Sequence, residues 1–306
     1  MMATALRLFS ISSGTRRVYR LLGNTIGQRK RVRSGPPSHY VETAKNLLEL
    51  CERYDVIDRG DRVLEVGTGW VHWLATILRL FYDVEVTLFD IWDNRQLTAY
   101  KSYCAKLQQS IGNMFEIKPA QREGVNRVFN TVLAANAFSE IYRDLGFQYV
   151  VDPSGTLTEF GDGSFAAIVS VNVLEHVEAG IVAQFIRDSY RVLRPGGFSI
   201  HQIDLSDHLA NYDHGVSRKN YYRFPDRVWE HCFENRVQYF NRVQRPEWID
   251  LFAKQGFELV RQDSVFGDVG DVVGTGRFAH LSKRDRECMV LEVVHRKPRA
   301  LGISRV

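Results

Sequence analysis

Arg62-Val63-Leu64-Glu65-Val66-Gly67-Thr68-Gly69 decides the fold. Val63, Leu64 and Val66 form a short apolar run, broken only by Glu65, that reads as a strand buried on both faces. Gly67 and Gly69 follow at once, and a helix-like stretch runs from about Val71 to Leu80. A strand, a Gly-x-Gly turn and a helix together bring backbone close to a nucleotide over the strand ends of an α/β sheet.

Outward from this unit the same alternation repeats. Val84 to Phe89 reads as a second strand ending on Asp90, Phe147 to Val151 as a third ending on Asp152, and Phe165 to Val171 as a fourth running into Asn172. A helix from Ile181 to Leu193 is stopped by Arg194-Pro195-Gly196-Gly197, and Phe198 to Ile203 makes a fifth strand. Phe257 to Arg261 and Met289 to His295 add two more, with a helix from Pro246 to Lys254 before them. Before the first strand, Ser38 is placed to cap a helix whose apolar face is Val41, Ala44, Leu47, Leu48 and Cys51. Strands alternating with helices predict a Rossmann-like, doubly wound α/β fold with a mainly parallel seven-stranded sheet. Two stretches exceed what connections need: a helical insertion at 91–147 and an aromatic, basic insertion at 204–246.

The chain has 306 residues, of which 44% are hydrophobic and 25% charged, which suits one globular domain and excludes disorder or coiled coil as whole-chain answers. No run of about 18 apolar residues occurs, so no membrane-spanning helix is expected. Cys51, Cys104, Cys232 and Cys288 show no CxxC spacing, which argues against a disulfide scaffold or structural zinc and suits the reducing cytoplasm. The net charge of +4 divides unevenly. Residues 1–41 hold eight Arg or Lys and no acid, leaving 32 bases against 36 acids in the rest, a net of −4. A body of that charge is a poor footprint for nucleic acid. Residues 1–36 therefore read as a basic tail preceding a domain at 37–297. The tail has three readings: a solvated arm, an organelle transit peptide, or a segment lying on an anionic membrane. The last is suggested by Val18, Leu21, Leu22 and Ile26 falling near one helical face beside arginines.

Asp90 stands 21 residues after Gly69, the spacing at which a carboxylate meets ribose hydroxyls. That pair fits a dinucleotide or an adenosyl cofactor. Two features disfavour the dinucleotide. His72 occupies the place of the third fingerprint glycine, and Glu65 would repel a pyrophosphate while suiting an amino group or a sulfonium.

Val-Leu-Glu-Val-Gly-Thr-Gly (63–69) resembles the first motif of class I S-adenosylmethionine-dependent methyltransferases, and Asp90 matches their ribose-binding acid. Gly161 to Val177 resembles their fourth-strand motif, and Arg191 to Gly197 the turn before their fifth strand. The four motifs stand in the family's order and cover roughly 60–297. Gly-Thr-Gly-Trp and Ile-Asp-Leu-Ser-Asp-His are also similar to a bacterial subgroup associated with surface-glycan biosynthesis. Val71 and Ala166 depart from the pattern, where many members have Gly and Asp; the first would narrow the room near the methionine tail. The resemblance implies S-adenosylmethionine as cofactor. It places Glu65, Gly67, Thr68 and Gly69 at the methionine and ribose end, Asp90 and Ile91 at the ribose, Asp152 at the adenine amino group and Asn172 near the sulfonium. The plainer alternatives are a strand-end ion pair for Glu65 and a turn cap for Asp152 before Pro153.

The methyl group of a sulfonium is already activated, so the protein mainly places a nucleophile in line and excludes water. A hydroxyl acceptor also benefits from a base. Candidates are His176, Asp207, His208 and His214, each with a structural alternative. Asp204 and His208, four apart, would make a metal pair if that segment were helical, but no metal site is assigned. In residues 212–242, Tyr221, Tyr222, Trp229 and Phe240 alternate with Arg218, Lys219, Arg236 and Arg242. They would grip a sugar, a phosphate-bearing carrier or an aromatic acceptor, or simply pack as a cap. The expectation is methyl transfer to a small molecule or glycan at oxygen. The competing readings are an RNA methyltransferase, a non-catalytic protein that keeps the fold for binding, and a nicotinamide dehydrogenase.

Overall fold

The computed structural model describes residues 2–212 and 215–299, so the candidate base His214 lies outside the described residues. The helices are α1 (Met2–Ser10), α2 (Ser13–Ser34), α3 (Ser38–Arg53), α4 (Trp73–Phe81), α5 (Leu97–Met114), α6 (Arg122–Ala134), α7 (Phe138–Leu145), α8 (Val182–Val192), α9 (Asp226–Cys232), α10 (Arg245–Lys254) and α11 (Lys283–Glu287). The strands are β1 (Arg62–Val66), β2 (Glu85–Asp90), β3 (Phe147–Val151), β4 (Phe165–Val171), β5 (Leu193–Asp204), β6 (Glu258–Phe266) and β7 (Cys288–Arg296).

The strands form one seven-stranded sheet in the order β3-β2-β1-β4-β5-β7-β6. Strand β1 is central and pairs in parallel with β2 (Val63 opposite Val86) and β4 (Val63 opposite Ala167). The strand order reverses between β1 and β4, which opens a crevice at their carboxyl ends. Strand β7 runs antiparallel to both neighbours, so the sheet is mixed rather than wholly parallel.

Alternation along β1 assigns its side chains to two layers. Val63 joins the core under α3, α4, α5 and α6, while Leu64 and Val66 join the core under α8 and α10. The 91–147 stretch folds as α5, α6 and α7 on the first of these faces, where Tyr100, Leu107, Phe129 and Val132 are buried. Residues 204–246 build a cap together with 267–281. Its own apolar core holds Tyr221, Tyr222, Trp229, Phe240, Val272 and Phe278. The sequence alone did not show that 267–281 belongs to this cap. Ser38 is the first residue of α3 and does not cap it; Pro37 stands at the cap position without a side-chain bond.

The basic amino-terminal segment is not a free arm. It folds as α1 and α2, and α2 lies on α5. Asn24 accepts the Trp70 indole N–H at 2.9 Å, and the Ser102 hydroxyl donates to the Val32 carbonyl at 2.8 Å. Arg31 stacks 3.6 Å from the centre of the Trp70 ring and donates to Gln96 at 2.9 Å. Val18, Leu21, Leu22 and Ile26 face outward and are exposed. No helix among the described residues is long and apolar enough to cross a membrane.

Candidate cofactor cleft

At the crevice between β1 and β4 lies a cleft of about 300 Å³. The glycine turn, the end of β2, the β3 turn and the β4 turn contribute Gly67, Asp90, Ile91, Trp92, Ser154, Val173 and His176. Arg16 from α2 and Arg236 from the cap close it from outside. Arg20 stacks 3.8 Å from the centre of the Trp92 ring, so the same helix covers the cleft's aromatic rim.

The glycine turn is shaped by its neighbours. Gly67 has φ 71°, and its N–H donates to the Phe89 carbonyl at 2.8 Å. A Cβ there would clash with the Val173 side chain, so the position has both a left-handed backbone and no room. The Gly69 amide donates to the Asp90 carboxylate at 3.0 Å, and the Trp92 amide donates to its other oxygen at 3.3 Å. Burial raises the Asp90 carboxyl above the usual range, and these amide bonds oppose that rise. Asp90 is therefore oriented by backbone from two loops at the mouth of the cleft.

Three expected ligands are turned elsewhere. Glu65 shares the α4-facing side of β1 with Val63, so its carboxylate accepts the Ala75 amide at 3.0 Å beneath α4 and does not line the cleft. Burial pushes this carboxyl up to about 8. Asp152 accepts the Ser154 amide at 2.9 Å and the Ser154 hydroxyl at 2.6 Å, which makes it the cap of its own turn; Ser154 and Gly155 line the cleft in its place. Asn172 sits at φ 54° with its amide bonded to the Gln202 carbonyl, and Val173 rather than Asn172 reaches the cleft. Thr68 and Gly69 stand behind the lining, where the Thr68 hydroxyl pairs with His72 Nδ1 at 2.8 Å. His72 is fully buried among Tyr100, Phe138, Tyr142 and Tyr149, an aromatic nest that explains the missing third glycine. Val71 is buried in the core and does not narrow the cleft.

Of the candidate bases among the described residues, only His176 lines the cleft. Its Nδ1 donates to the Tyr239 carbonyl at 2.6 Å. His208 lies behind it, with ring centres 5.0 Å apart, and Phe240 packs on its other side at 4.9 Å. Asp207 is buried, accepts the Leu209 amide at 2.9 Å and caps the turn that carries His208. Burial pushes its carboxyl up to about 6, but it does not face the cleft. Residues 204 to 208 do not form one helix, because Asp204 ends β5 and His208 begins a short 3-10 helix, yet the turn between them still brings Asp204 within 3.6 Å of His208.

The cap aromatics mostly pack rather than bind. Tyr221, Tyr222 and Trp229 are fully buried. Lys219 is buried with them, donating to the Leu205 carbonyl at 2.6 Å and to Gln244 at 3.0 Å, and burial lowers its ammonium to about 7. Arg242 is buried against Asp226 at 3.1 Å. Among the described residues of the cap, Arg236 is the cation that reaches the cleft. Glu175, unassigned from sequence although it lies within the Leu174-Glu175-His176 motif, is buried with neither carboxylate oxygen hydrogen-bonded.

The profile of the methyltransferase domain family matches residues 38–262, well over half of the 306-residue chain. The chain belongs to this family. No curated protein matches it. Among solved structures, the Haemonchus contortus phosphoethanolamine N-methyltransferase 2 with S-adenosyl-L-methionine is 16% identical, with a TM-score of 0.45 over 83% of this chain and 53% of that one. The [4+2]-cyclase SpnF is 14% identical, with a TM-score of 0.44 over 83% and 82% of the two chains. A methyltransferase-like protein of Bacillus halodurans C-125 is 15% identical, with a TM-score of 0.44 over 83% and 99%. Similarity at this level says nothing about the acceptor.

Proposed function

We propose that the chain transfers a methyl group from S-adenosylmethionine to a hydroxyl of a small molecule or glycan that carries an anionic group. The observation that carries the cofactor is the pairing of Asp90 with the Gly69 amide beside the crowded Gly67 turn. A carboxylate fixed by backbone at a strand end, beside a turn with no side chain, suits ribose hydroxyls next to close-packed backbone. When bound, the cofactor supplies a methyl group on a positively charged sulfur. The chain's own residues position, shield and exclude water. Arg16 and Arg236 favour an anionic acceptor, such as a phosphate-bearing carrier, and His176 lines the same cleft. The test is calorimetric titration with S-adenosylmethionine, S-adenosylhomocysteine and NAD. Tight binding of both adenosyl ligands supports the reading. Binding of NAD alone, or of none, overturns it.

The amino-terminal helices support a partner of defined chemistry, an anionic bilayer surface. The outward stripe of Val18, Leu21, Leu22 and Ile26 continues into Arg29, Lys30 and Arg33, with no acid in the first 41 residues. An apolar stripe flanked by bases lies in an interface of acyl chains and acidic head groups. Co-sedimentation with phosphatidylserine-containing vesicles, lost in Leu21→Glu/Ile26→Glu and absent with phosphatidylcholine alone, is the expected result. Equal binding by the double variant would sink the proposal.

A further inference from the structure

We propose that Glu175, His176 and His208 form a binding site for a divalent transition metal at the acceptor end of the cofactor cleft. The proposal deepens the methyltransferase reading and rests on it for its catalytic consequence, but not for the binding itself.

One donor atom from each of the three residues lies within 4.8 Å of the other two. Glu175 carries the strongest indication. It is 3% exposed, and both of its carboxylate oxygens are buried without a hydrogen-bond partner. An unpaired buried carboxylate is costly, so a group in this state calls for a proton or a cation. The turn that carries it is not loose. The Asn241 amide donates to the Glu175 carbonyl at 2.7 Å, and the Asn241 side chain donates to the carbonyls of Leu174 and Val177 at 2.8 and 3.0 Å. The carbonyls of Leu174, Glu175 and Val177 are bonded, while neither Glu175 carboxylate oxygen has a hydrogen-bond partner.

His176 is held as metal-ligating histidines are held, with one ring nitrogen committed and the other left over, and His208 has a carboxylate behind its ring. His176 spends Nδ1 on the Tyr239 carbonyl at 2.6 Å, leaving Nε2. His208 sets Nε2 at 3.6 Å from the Asp204 carboxylate, leaving Nδ1. The Asp204 carboxylate is itself held by the Ser206 amide, which donates to it at 2.8 Å. A carboxylate behind a histidine raises the ring's basicity and fixes its orientation.

Two imidazoles and one carboxylate suit Zn²⁺, Fe²⁺ or Mn²⁺ better than Ca²⁺, and three protein ligands leave positions open. Because His176 lines the cleft, an open position would face the acceptor. In the transfer, the acceptor oxygen–methyl bond forms as the sulfur–methyl bond breaks, S-adenosylhomocysteine leaves, and the hydroxyl proton goes to solvent. A cation beside that oxygen would ease loss of the proton.

The test is titration of the chelator-stripped full chain with Co²⁺, followed by visible absorption, and with Zn²⁺ in competition. One equivalent of Co²⁺ displaced by Zn²⁺ is expected, with binding weakened at least about tenfold in Glu175→Gln and in His208→Ala. Replacing the exposed His280, which is outside the three-residue cluster, by Ala should change nothing. Glu175→Gln preserves shape, and S-adenosylhomocysteine titration of the same samples reports whether the fold and cleft are intact. Wild type that takes up no Co²⁺, or variants that bind it as well as wild type does, overturns the proposal. Failure of S-adenosylhomocysteine binding in wild type would instead overturn the cofactor reading, while the Co²⁺ titration still decides the metal site.

Discussion

The Asp90 carboxylate accepts the Gly69 amide at 3.0 Å, so the acid at the end of β2 and the glycine turn after β1 form one hydrogen-bonded unit. Its other oxygen accepts the Trp92 amide at 3.3 Å. Asp90→Ala removes the support of the turn together with the proposed ribose acceptor. The expected cost is about 1.5–3 kcal/mol, roughly 10- to 100-fold in Kd for S-adenosylhomocysteine. Calorimetry checks it, and unchanged affinity would remove Asp90 from the site.

Gly67 tests the other half of that unit. Gly67→Ala meets a left-handed backbone costing about 1–2 kcal/mol and a clash with Val173. A lowered melting temperature and lost cofactor binding are expected. Adding Val173→Ala relieves the clash but not the backbone strain, so it should recover part of the loss. If the double variant melts no higher than Gly67→Ala, the contact with Val173 is not what excludes a side chain.

Glu65 predicts a pH dependence. Its carboxyl is raised by burial to about 8 from an ordinary value of 4.5. Between those values the folded chain holds a proton that the unfolded chain has lost, so this group's contribution to stability falls as pH rises from about 4.5 to about 8. Glu65→Gln keeps an oxygen for the Ala75 amide and abolishes that slope. Melting temperatures should converge near pH 5, and the variant should be the more stable above about pH 8. Parallel curves for the two proteins across that window would contradict the assignment.

The helix α2 acts as a cover. Arg20 lies over Trp92, Asn24 accepts from Trp70, and Arg16 reaches the cleft. Deleting residues 2–34 should red-shift tryptophan emission as both indoles meet water. Cofactor release should quicken on the order of tenfold, as for a removed lid. Stopped-flow displacement measures the second effect, and an unchanged release rate would reduce α2 to a packing element.

Local pattern made the sheet legible. Each of β1 to β5 is marked by a short, mostly apolar run, with a glycine or an acid at the end of β1, β2, β3 and β5 and Asn172 after β4, because a strand buried on both faces is mainly apolar until it leaves the sheet. Side-chain direction was less legible. The period of two turns Glu65 under α4 and away from the cleft, whereas motif position alone suggested a ligand. Asp152 is spent on the Ser154 amide and hydroxyl, the local bonding that an Asp before Pro favours. Neither outcome depends on residues far away in the chain.

Other features depend on residues that are remote in sequence. Lys219, Tyr221 and Tyr222 read as a basic, aromatic grip, but they are buried because 267–281 packs over them, and nothing local marks that partner. Arg16 enters the cleft only because α2 lies on α5. His176 and His208 stand 32 positions apart, and the parallel pairing of β4 with β5 brings the turns after both strands side by side. The sequence by itself determined the strand order's raw material, the glycine turn and its acid, and the family, since each is written in contiguous residues whose spacing follows backbone geometry. Only the tertiary structure decided which side chains face the cleft, what covers it and where Glu175 is left unpaired, because those follow from packing between segments that the chain order keeps apart.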